Sequence, residues 1–407
     1  MIDKRVHNSP STYWLNVPLI VGESKAPSNG GIVIIGSGLT GVSVAYWLLQ
    51  YGYKNVTIID DLPEQAASYR NAGHILHGTV ESLSALTAIH GEALASQIWQ
   101  FSADSCNKIK KTIDLEGLDV EYRQDGYLVI AIDKTELVEI EDSIALLKKA
   151  GFQNEFIAKQ KLENLGFRNV LGARFDPFSA QAHPVKFRNQ LLECCLKKGL
   201  KYFSGCKVKN IEDRLGHGII HYHDGAIECD AIVLATNAYS PLISDFFAER
   251  RLIEPFRGQI IVSKPLNQNI PVNIPHSFDH GYEYALQLEN KRILIGGWRQ
   301  HTASKEIGSY DLIANPEISV GLKSFVKRHY SFLDDIEWEY EWTGIMAASK
   351  TGLPFIGPTS SPIIFSCAGY TGHGFSWSHG SADLLAKIIL GQAIDSEIAA
   401  LFNPIKI

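Results

Sequence analysis

The sequence predicts an α/β fold, α+β overall, in which a βαβ domain made of several chain segments is interleaved with a second domain based on an antiparallel sheet. Three observations lead to this prediction. A β-branched strand near the N-terminus runs into a glycine-rich turn and a helix, antiparallel β patterns dominate the third quarter of the chain, and no low-complexity linker separates the two kinds of region. The 407 residues are too many for one ordinary core, so two or three domains are expected.

The N-terminal βαβ unit is the clearest local pattern. Residues 32–35 are β-branched and predict a strand buried on both faces. The glycine-rich segment 36–41 follows, and apolar residues at helical spacing then lead to Gly52, which stands where a helix-terminating glycine belongs. A second strand at 56–59 ends on Asp60 and Asp61. The glycines therefore lie on the turn between the first strand and the first helix.

The middle of the chain mixes helices and strands. Helical patterns cover 82–111, 136–149 and 184–198, and strand patterns cover 126–132, 207–211, 218–223 and 227–235. Asp224-Gly225 between two alternating runs predicts a hairpin turn.

Antiparallel character begins near residue 256. Strands are predicted at 259–262, 282–288, 292–295 and 336–343, a helix at 316–329, and a final strand at 363–367 before a helix that ends at Gly391. From these patterns we expect one domain to comprise 1–115, 165–248 and 342–407, and the other 116–164 and 249–341.

Composition limits the classes of function. Hydrophobic residues make up 45% and charged residues 20%, which is typical of a folded globular protein, and the net charge is −6. Without a basic cluster, nucleic acid is not an expected partner. Six cysteines show no metal-ligand spacing, and His221 and His223 share a strand face without a third ligand, so no metal is predicted.

The apolar run at 17–21 is too short for a signal peptide, and no stretch is long enough to cross a bilayer. The predicted location is therefore cytoplasmic, without a transmembrane segment.

The glycine segment and the acid that follows it predict a dinucleotide site of the Rossmann type. Gly36 permits the tight turn, Gly38 lets the backbone approach a pyrophosphate, and Gly41 lets helix and strand pack closely. The helix amides then face the negative charge. Asp60, nineteen residues after Gly41, can accept hydrogen bonds from ribose hydroxyls. This motif alone does not separate FAD from NAD.

Three further segments follow in a characteristic order. They are Ser68-Tyr69-Arg70-Asn71-Ala72-Gly73-His74, the buried strand that ends in Ala235-Thr236-Asn237-Ala238, and Gly369-Tyr370-Thr371-Gly372-His373-Gly374-Phe375 before the last helix. Free amides at that helix N-terminus would stabilise negative charge on a flavin ring.

With these segments the chain resembles the D-amino-acid oxidase, glycine oxidase and sarcosine oxidase superfamily of flavoproteins, most of all its gamma-glutamylputrescine-oxidase-like branch. The resemblance also includes residues 11–14 (Ser-Thr-Tyr-Trp), 257–259, 342–344 and 354–357, and spans nearly the whole chain. It implies bound FAD and a substrate domain over the flavin. The residues expected to bind the cofactor are Gly36, Ser37, Gly38, Leu39, Thr40, Gly41, Asp60, Asp61, Arg70, Asn71, Ala72, Gly73, His74, Val208, Ala235, Thr236, Asn237, Gly344, Gly369, Tyr370, Thr371, Gly372, His373, Gly374 and Phe375.

The chain departs from that family at the substrate anchors. Ser376 stands where similar sarcosine oxidases carry a carboxylate-binding lysine, and Met346 where glycine oxidases carry an arginine. The segment 345–348 lacks the cysteine that bonds the flavin, so FAD is expected to be non-covalent. Oxygen-activating members of that family carry a lysine at the position of Leu294, and this chain has none there. Whether the electron acceptor is oxygen or another compound therefore remains open. An amine, a polyamine derivative, or an amino acid held by another cation such as Arg299 is the expected substrate.

The predicted activity is FAD-dependent oxidation of a C–N bond, with hydride transfer to flavin and hydrolysis of the imine. Tyr282 and Tyr284 alternate on a predicted strand, and both either line an aromatic wall around the amine or pack within the sheet. His373 either tunes the flavin or packs beside it. Arg299 is expected near the substrate mouth.

Two other flavoprotein functions and one non-flavin function stay open at this level. They are a 2-hydroxy-acid dehydrogenase, a non-catalytic FAD-binding protein and an NAD-dependent reductase.

Overall fold

The computed structural model describes residues 11–267 and 270–407. In chain order, the strands within these ranges are β1 (Asn29–Ile35), β2 (Val56–Ile59), β3 (His74–Ile75), β4 (Tyr127–Ala131), β5 (Glu155–Ala158), β6 (Gly172–Asp176), β7 (Ala180–Gln181), β8 (Lys201–Phe203), β9 (Val208–Arg214), β10 (His217–Tyr222), β11 (Gly225–Leu234), β12 (Ile253–Ser263), β13 (His276–Phe278), β14 (Glu283–Gln287), β15 (Ile293–Gly296), β16 (Trp338–Ser349), β17 (Phe355–Pro358) and β18 (Ile364–Ala368).

The α-helices within the same ranges are α1 (Leu39–Gln50), α2 (Leu83–His90), α3 (Glu92–Glu116), α4 (Lys134–Lys149), α5 (Lys159–Asn164), α6 (Pro184–Lys197), α7 (Asp245–Arg250), α8 (Pro316–His329), α9 (Gly374–Ile389) and α10 (Ser396–Phe402). None of the helices in this described part of the chain is both long enough and apolar enough to span a membrane.

The first sheet has the parallel order β18-β11-β1-β2-β8 at its centre. Strand β17 adds antiparallel at one edge, and β9 and β10 continue from β11 as a meander. Along β1, Ile32 and Ile34 belong to one hydrophobic cluster, and Val33 and Ile35 to another on the opposite face. This confirms the prediction of a strand buried on both faces.

Helices α1, α3, α6 and α9 cover one face of this sheet. Helix α1 is tied to α9 because the indole of Trp47 donates to the carbonyl of His379 at 3.0 Å. Helix α9 approaches α3 closely at Gly380, where a Cβ atom would lie 2.5 Å from the Cβ of Ser105. A side chain at this position would separate the two helices.

The second sheet has the order β16-β12-β15-β14-β13-β4-β6-β5. Its pairs are antiparallel except β13 with β4, and α8 packs on a core that includes Leu128, Phe278 and Phe325. The two sheets take their strands from alternating parts of the chain, as predicted.

Some elements differ from the predictions. Strands β5 and β6 and the short helices α5, α7 and α10 were not predicted, and β6 and β16 belong to the second sheet. The predicted strand 282–288 begins only at Glu283, because Asp279–Gly281 forms a 3₁₀ turn and Tyr282 ends that turn. Tyr282 therefore does not alternate with Tyr284 along a strand. The domain boundaries stay a prediction.

Candidate active site

A cavity of about 880 Å³ lies where the carboxyl ends of the first sheet face the second sheet. The loops after β1, β2, β11 and β18 form one side, and residues of β4, β12, β14 and β16 form the other. In open α/β sheets, ligands bind outside the carboxyl ends of the strands. The cavity is therefore the candidate active site.

The glycine turn after β1 packs too tightly for a side chain at Gly36 or Gly41. Gly36 has a φ of +104°, and a Cβ there would lie 2.7 Å from the carbonyl oxygen of Ala235. A Cβ on Gly41 would lie 1.8 Å from the carbonyl oxygen of Gly36. Gly38, the N-cap of α1, lines the cavity. Gly38 brings the backbone at the N-terminus of α1 to the cavity without a side chain, which fits a pyrophosphate.

Asp60 at the end of β2 lines the same part of the cavity. Its Oδ2 accepts the amide of Ser37 at 2.5 Å, so the acid also fixes the glycine turn. Burial raises the pKa of Asp60, while the Ser37 amide and the guanidinium of Arg188 act in the opposite direction. The remaining acceptor capacity of this carboxylate suits a ribose hydroxyl.

Arg188 supports this turn, and sequence reasoning missed it. It is fully buried on α6, donates from Nε to the carbonyl of Ser37 at 2.8 Å, and lies over the rings of Tyr69 and Tyr202. Its only sequence signal is a charged residue on the apolar face of an amphipathic helix.

The loop from Ser68 to His74 is held by aromatic side chains distant in sequence. The indole of Trp14 donates to the carbonyl of Asn71 at 2.7 Å, and that of Trp342 to the carbonyl of Arg70 at 3.0 Å. Arg70 donates to the carbonyl of Thr343 at 2.9 Å, and burial lowers its pKa to about 10. The Trp14 contact links residues 11–14 to this loop.

The last two predicted segments meet each other. The Oδ1 of Asn237 accepts the amide of Gly369 at 2.9 Å, which links the loop after β11 to the segment before α9. The side chain of His373, the N-cap of α9, does not cap the helix, and Gly374 and Phe375 in its first turn line the cavity. The positive end of α9 therefore points to the cavity.

Two histidines with unpartnered nitrogens lie at the cavity. His74 Nε2 and His373 Nδ1 are buried without a hydrogen-bond partner. Burial lowers the pKa of His74 to about 3 and that of His373 to about 4, so both are neutral at pH 7. The ring of His74 lies 5.4 Å from that of Tyr127 and 5.8 Å from that of Tyr284. These rings form an aromatic chamber.

Arg299 borders this chamber. It begins a 3₁₀ turn after β15, and its guanidinium lies 4.5 Å from the centre of the Phe256 ring and 5.3 Å from that of Tyr282. Its Nη1 donates to the carbonyl of Lys305 at 3.3 Å. Across the described ranges, no carboxylate lies within ion-pair distance of this side chain.

The structure brings most of the sequence-predicted residues to one cavity. Four of the predicted residues lie behind the cavity wall rather than on it: Ser37, Gly41, Gly73 and Gly369. The predicted residues that line the cavity, in addition to those described above, are Leu39, Thr40, Asp61, Ala72, Val208, Ala235, Thr236, Gly344, Tyr370, Thr371 and Gly372. Ser376 and Met346 also line it, but the Oγ of Ser376 already accepts the amide of Leu76 at 2.7 Å.

Part of the cavity lining was not predicted. It consists of Tyr127 of β4, Arg174 and Asp176 of β6, and Glu136 and Glu139 of α4. Arg174 Nη1 donates to Asn154 Oδ1 at 2.6 Å. The polar residues on β6 concealed the strand from pattern analysis, because they point into the cavity rather than into a core.

Comparison with known proteins shows the family and the fold. Residues 31–388 match the family model described as DAO, FAD dependent oxidoreductase. The chain is 24% identical to the probable oxidoreductase OrdL of Haemophilus influenzae, over 92% of this chain and 86% of that protein. Its fold is similar to that of L-proline dehydrogenase from P. horikoshii, with a TM-score of 0.77, 20% identity, and coverage of 94% of this chain and 98% of that one. Glycine oxidase from Bacillus cereus gives a TM-score of 0.77 with 18% identity, over 91% and 98%.

Proposed function

Because the chain belongs to the DAO family of FAD-dependent oxidoreductases, we propose that it oxidises a carbon–nitrogen bond of a small amino acid or amine derivative. The substrate loses a hydride from its α-carbon and a proton from its nitrogen to form an imine, and water then converts the imine to a carbonyl with release of the nitrogen as ammonia or an amine. The proteins of similar fold named above act on proline and glycine, in which the oxidised carbon bears nitrogen.

The residues of the glycine turn and of the α9 N-terminus fit FAD. The glycine turn would hold the pyrophosphate, Asp60 the ribose, and the first turn of α9 the flavin end. When bound, FAD supplies the two-electron acceptor for the hydride. We expect it to be held without a covalent bond, since residues 345–348 include no cysteine.

The proposal that the substrate has a carboxylate rests on Arg299. It is a cation at the cavity without a carboxylate partner among the described residues, and its two aromatic neighbours orient the guanidinium without neutralising it. Burial lowers its pKa, which indicates that an anionic partner would be favourable. We assign Arg299 to the substrate carboxylate, in place of the anchors that Ser376 and Met346 do not supply.

The chamber favours the neutral form of the amine. The same burial that keeps His74 and His373 uncharged disfavours an ammonium group beside them. A neutral amine has the lone pair that forms the C=N bond as the hydride leaves. Tyr284 and His74 would orient the amine at this point.

The first test is anaerobic. The visible spectrum of the purified yellow protein is recorded while amino acids, N-methyl amino acids, amines, polyamines and 2-hydroxy acids are added singly. Bleaching by an amino acid or amine supports the proposal, and readmission of air then distinguishes oxygen from another acceptor. Bleaching by hydroxy acids alone, or by none of these compounds, refutes it.

The second test addresses the carboxylate anchor. Arg299→Met should raise KM for a carboxylate substrate by about 10- to 100-fold, because a charge-assisted hydrogen bond is worth about 1.5–3 kcal/mol. KM for the corresponding decarboxylated amine should change little, and Arg299→Lys should recover part of the loss. Arg174→Met is the matched control, since Arg174 is another arginine that lines the cavity. A rise in KM confined to Arg174→Met would assign the carboxylate to Arg174 instead.

A further inference from the structure

Three potential metal ligands meet outside the cavity, beside the turn that carries Arg299. Asp279 begins the 3₁₀ turn before β14, Glu283 begins β14, and His301 ends the 3₁₀ turn after β15. One donor atom from each lies within 4.8 Å of the other two. The Nε2 of His301 is 3.7 Å from Asp279 Oδ2 and 3.8 Å from Glu283 Oε1.

Glu283 is the unusual member of this cluster. Its side chain is 1% exposed, its Oε1 accepts the amide of Trp298 at 3.0 Å, and its Oε2 is buried without a hydrogen-bond partner. Among the described residues, neither carboxylate has a lysine or arginine within ion-pair distance. A cation is what this pair of carboxylates lacks.

The spacing suits a small divalent ion. Nitrogen and oxygen donors bind Zn²⁺ at about 2.0–2.2 Å, so two donors of a tetrahedral site lie about 3.3–3.6 Å apart. The two separations from His301 Nε2, 3.7 Å and 3.8 Å, need to shorten only slightly. We propose that Asp279, Glu283 and His301 bind one Zn²⁺-like ion, with water as the fourth ligand. The imidazole ligand argues against Ca²⁺ or Mg²⁺, which prefer oxygen.

An adjacent group, Asp133, Asp279 and His280, also brings three donors together. There, Asp133 already accepts two amides of α4 and His280 lies 3.2 Å from Glu139. No donor of that group is both buried and unpartnered, so the ion is assigned to the set with Glu283.

The ion would hold residues on the substrate side of the cavity in place without itself lining the cavity. None of its three ligands lines the cavity, but the ring of His301 lies 4.1 Å from that of Trp298, and Arg299 is two residues before His301. An ion here would join the start of β14 to the turn that holds Arg299. This role is structural and does not depend on the proposed substrate.

The test uses the flavin-loaded protein, freed of metal by chelation and titrated with Zn²⁺ by calorimetry. We expect one Zn²⁺ per chain and a higher Tm on binding. Glu283→Gln and His301→Ala should weaken binding by at least roughly tenfold and abolish the rise in Tm. His301 is 45% exposed, so its variant should fold even if that of the buried glutamate does not. Retained flavin absorbance checks folding.

The matched control is His221→Ala. His221 lies 2.8 Å from Glu212 but belongs to no group of three ligands among the described residues, so its removal should leave Zn²⁺ binding unchanged. His280→Ala tests the adjacent group in the same way. Absence of stoichiometric binding in the parent protein overturns the proposal. Unchanged binding in His301→Ala, or loss in His280→Ala alone, overturns the assigned ligands.

Discussion

Replacing Gly41 by alanine would place a methyl group inside the turn after β1. The added Cβ would lie 1.8 Å from the carbonyl oxygen of Gly36 and 3.3 Å from Ile34 Cγ2. Ordinary contacts begin near 3.4 Å, so the start of α1 and the turn must separate by more than about 1 Å. The closest atom belongs to the backbone of Gly36, so no side-chain rotation relieves the clash.

Such overpacking costs about 3 kcal/mol, which for a chain of this size lowers Tm by about 4 °C. The displaced turn would also misalign the amides that we propose to face the pyrophosphate. Each charge-assisted hydrogen bond lost there is worth about 1.5–3 kcal/mol, so FAD affinity should fall by about 10- to 100-fold or more.

The assay measures Tm with and without added FAD, and FAD affinity by flavin fluorescence on the apoprotein. Gly225→Ala is the matched control, because its Cβ would meet nothing closer than 3.5 Å and it lies outside the cavity. Wild-type Tm and FAD affinity in Gly41→Ala would refute the close-packing argument. A comparable loss in Gly225→Ala would show that glycine replacement itself, and not this contact, is responsible.

Three further predictions concern Asp60, Trp14 and His379. Asp60→Asn should reduce FAD affinity by about tenfold, measured by fluorescence titration, because it weakens the acceptor for both ribose and the Ser37 amide. Trp14→Phe removes the hydrogen bond to the Asn71 carbonyl and should cost about 1 kcal/mol in urea unfolding. Burial lowers the pKa of His379 to about 3, so the native state binds fewer protons than the unfolded state below about pH 6.5, and stability falls as pH falls. His379→Gln should recover about 2 kcal/mol of the stability lost between pH 7 and pH 5.

Local sequence patterns predicted those parts of the fold whose structure depends on residues close together in the sequence. The strand, glycine turn and helix at 29–50 are one such part, because their patterns are contiguous in the sequence and Gly41 is required by its contact with the backbone of Gly36. Helix ends at Gly52 and Gly391 were equally clear. Strands β5 and β6 escaped because their patterns are not those of a half-buried strand: β5 buries only Ile157, and β6 directs Arg174 and Asp176 into the cavity.

By itself, the sequence determined the family, the cofactor class and the segments that surround the cofactor, since these depend on short motifs in a characteristic order. Only the tertiary structure decided the charge states and the partners. His74 is neutral because elements far apart in the chain bury it, and Arg299 is a candidate anchor because no carboxylate of the described chain reaches it. Desolvation and ion pairing depend on which residues lie close together in the folded structure, and the spacing of residues along the chain does not encode that.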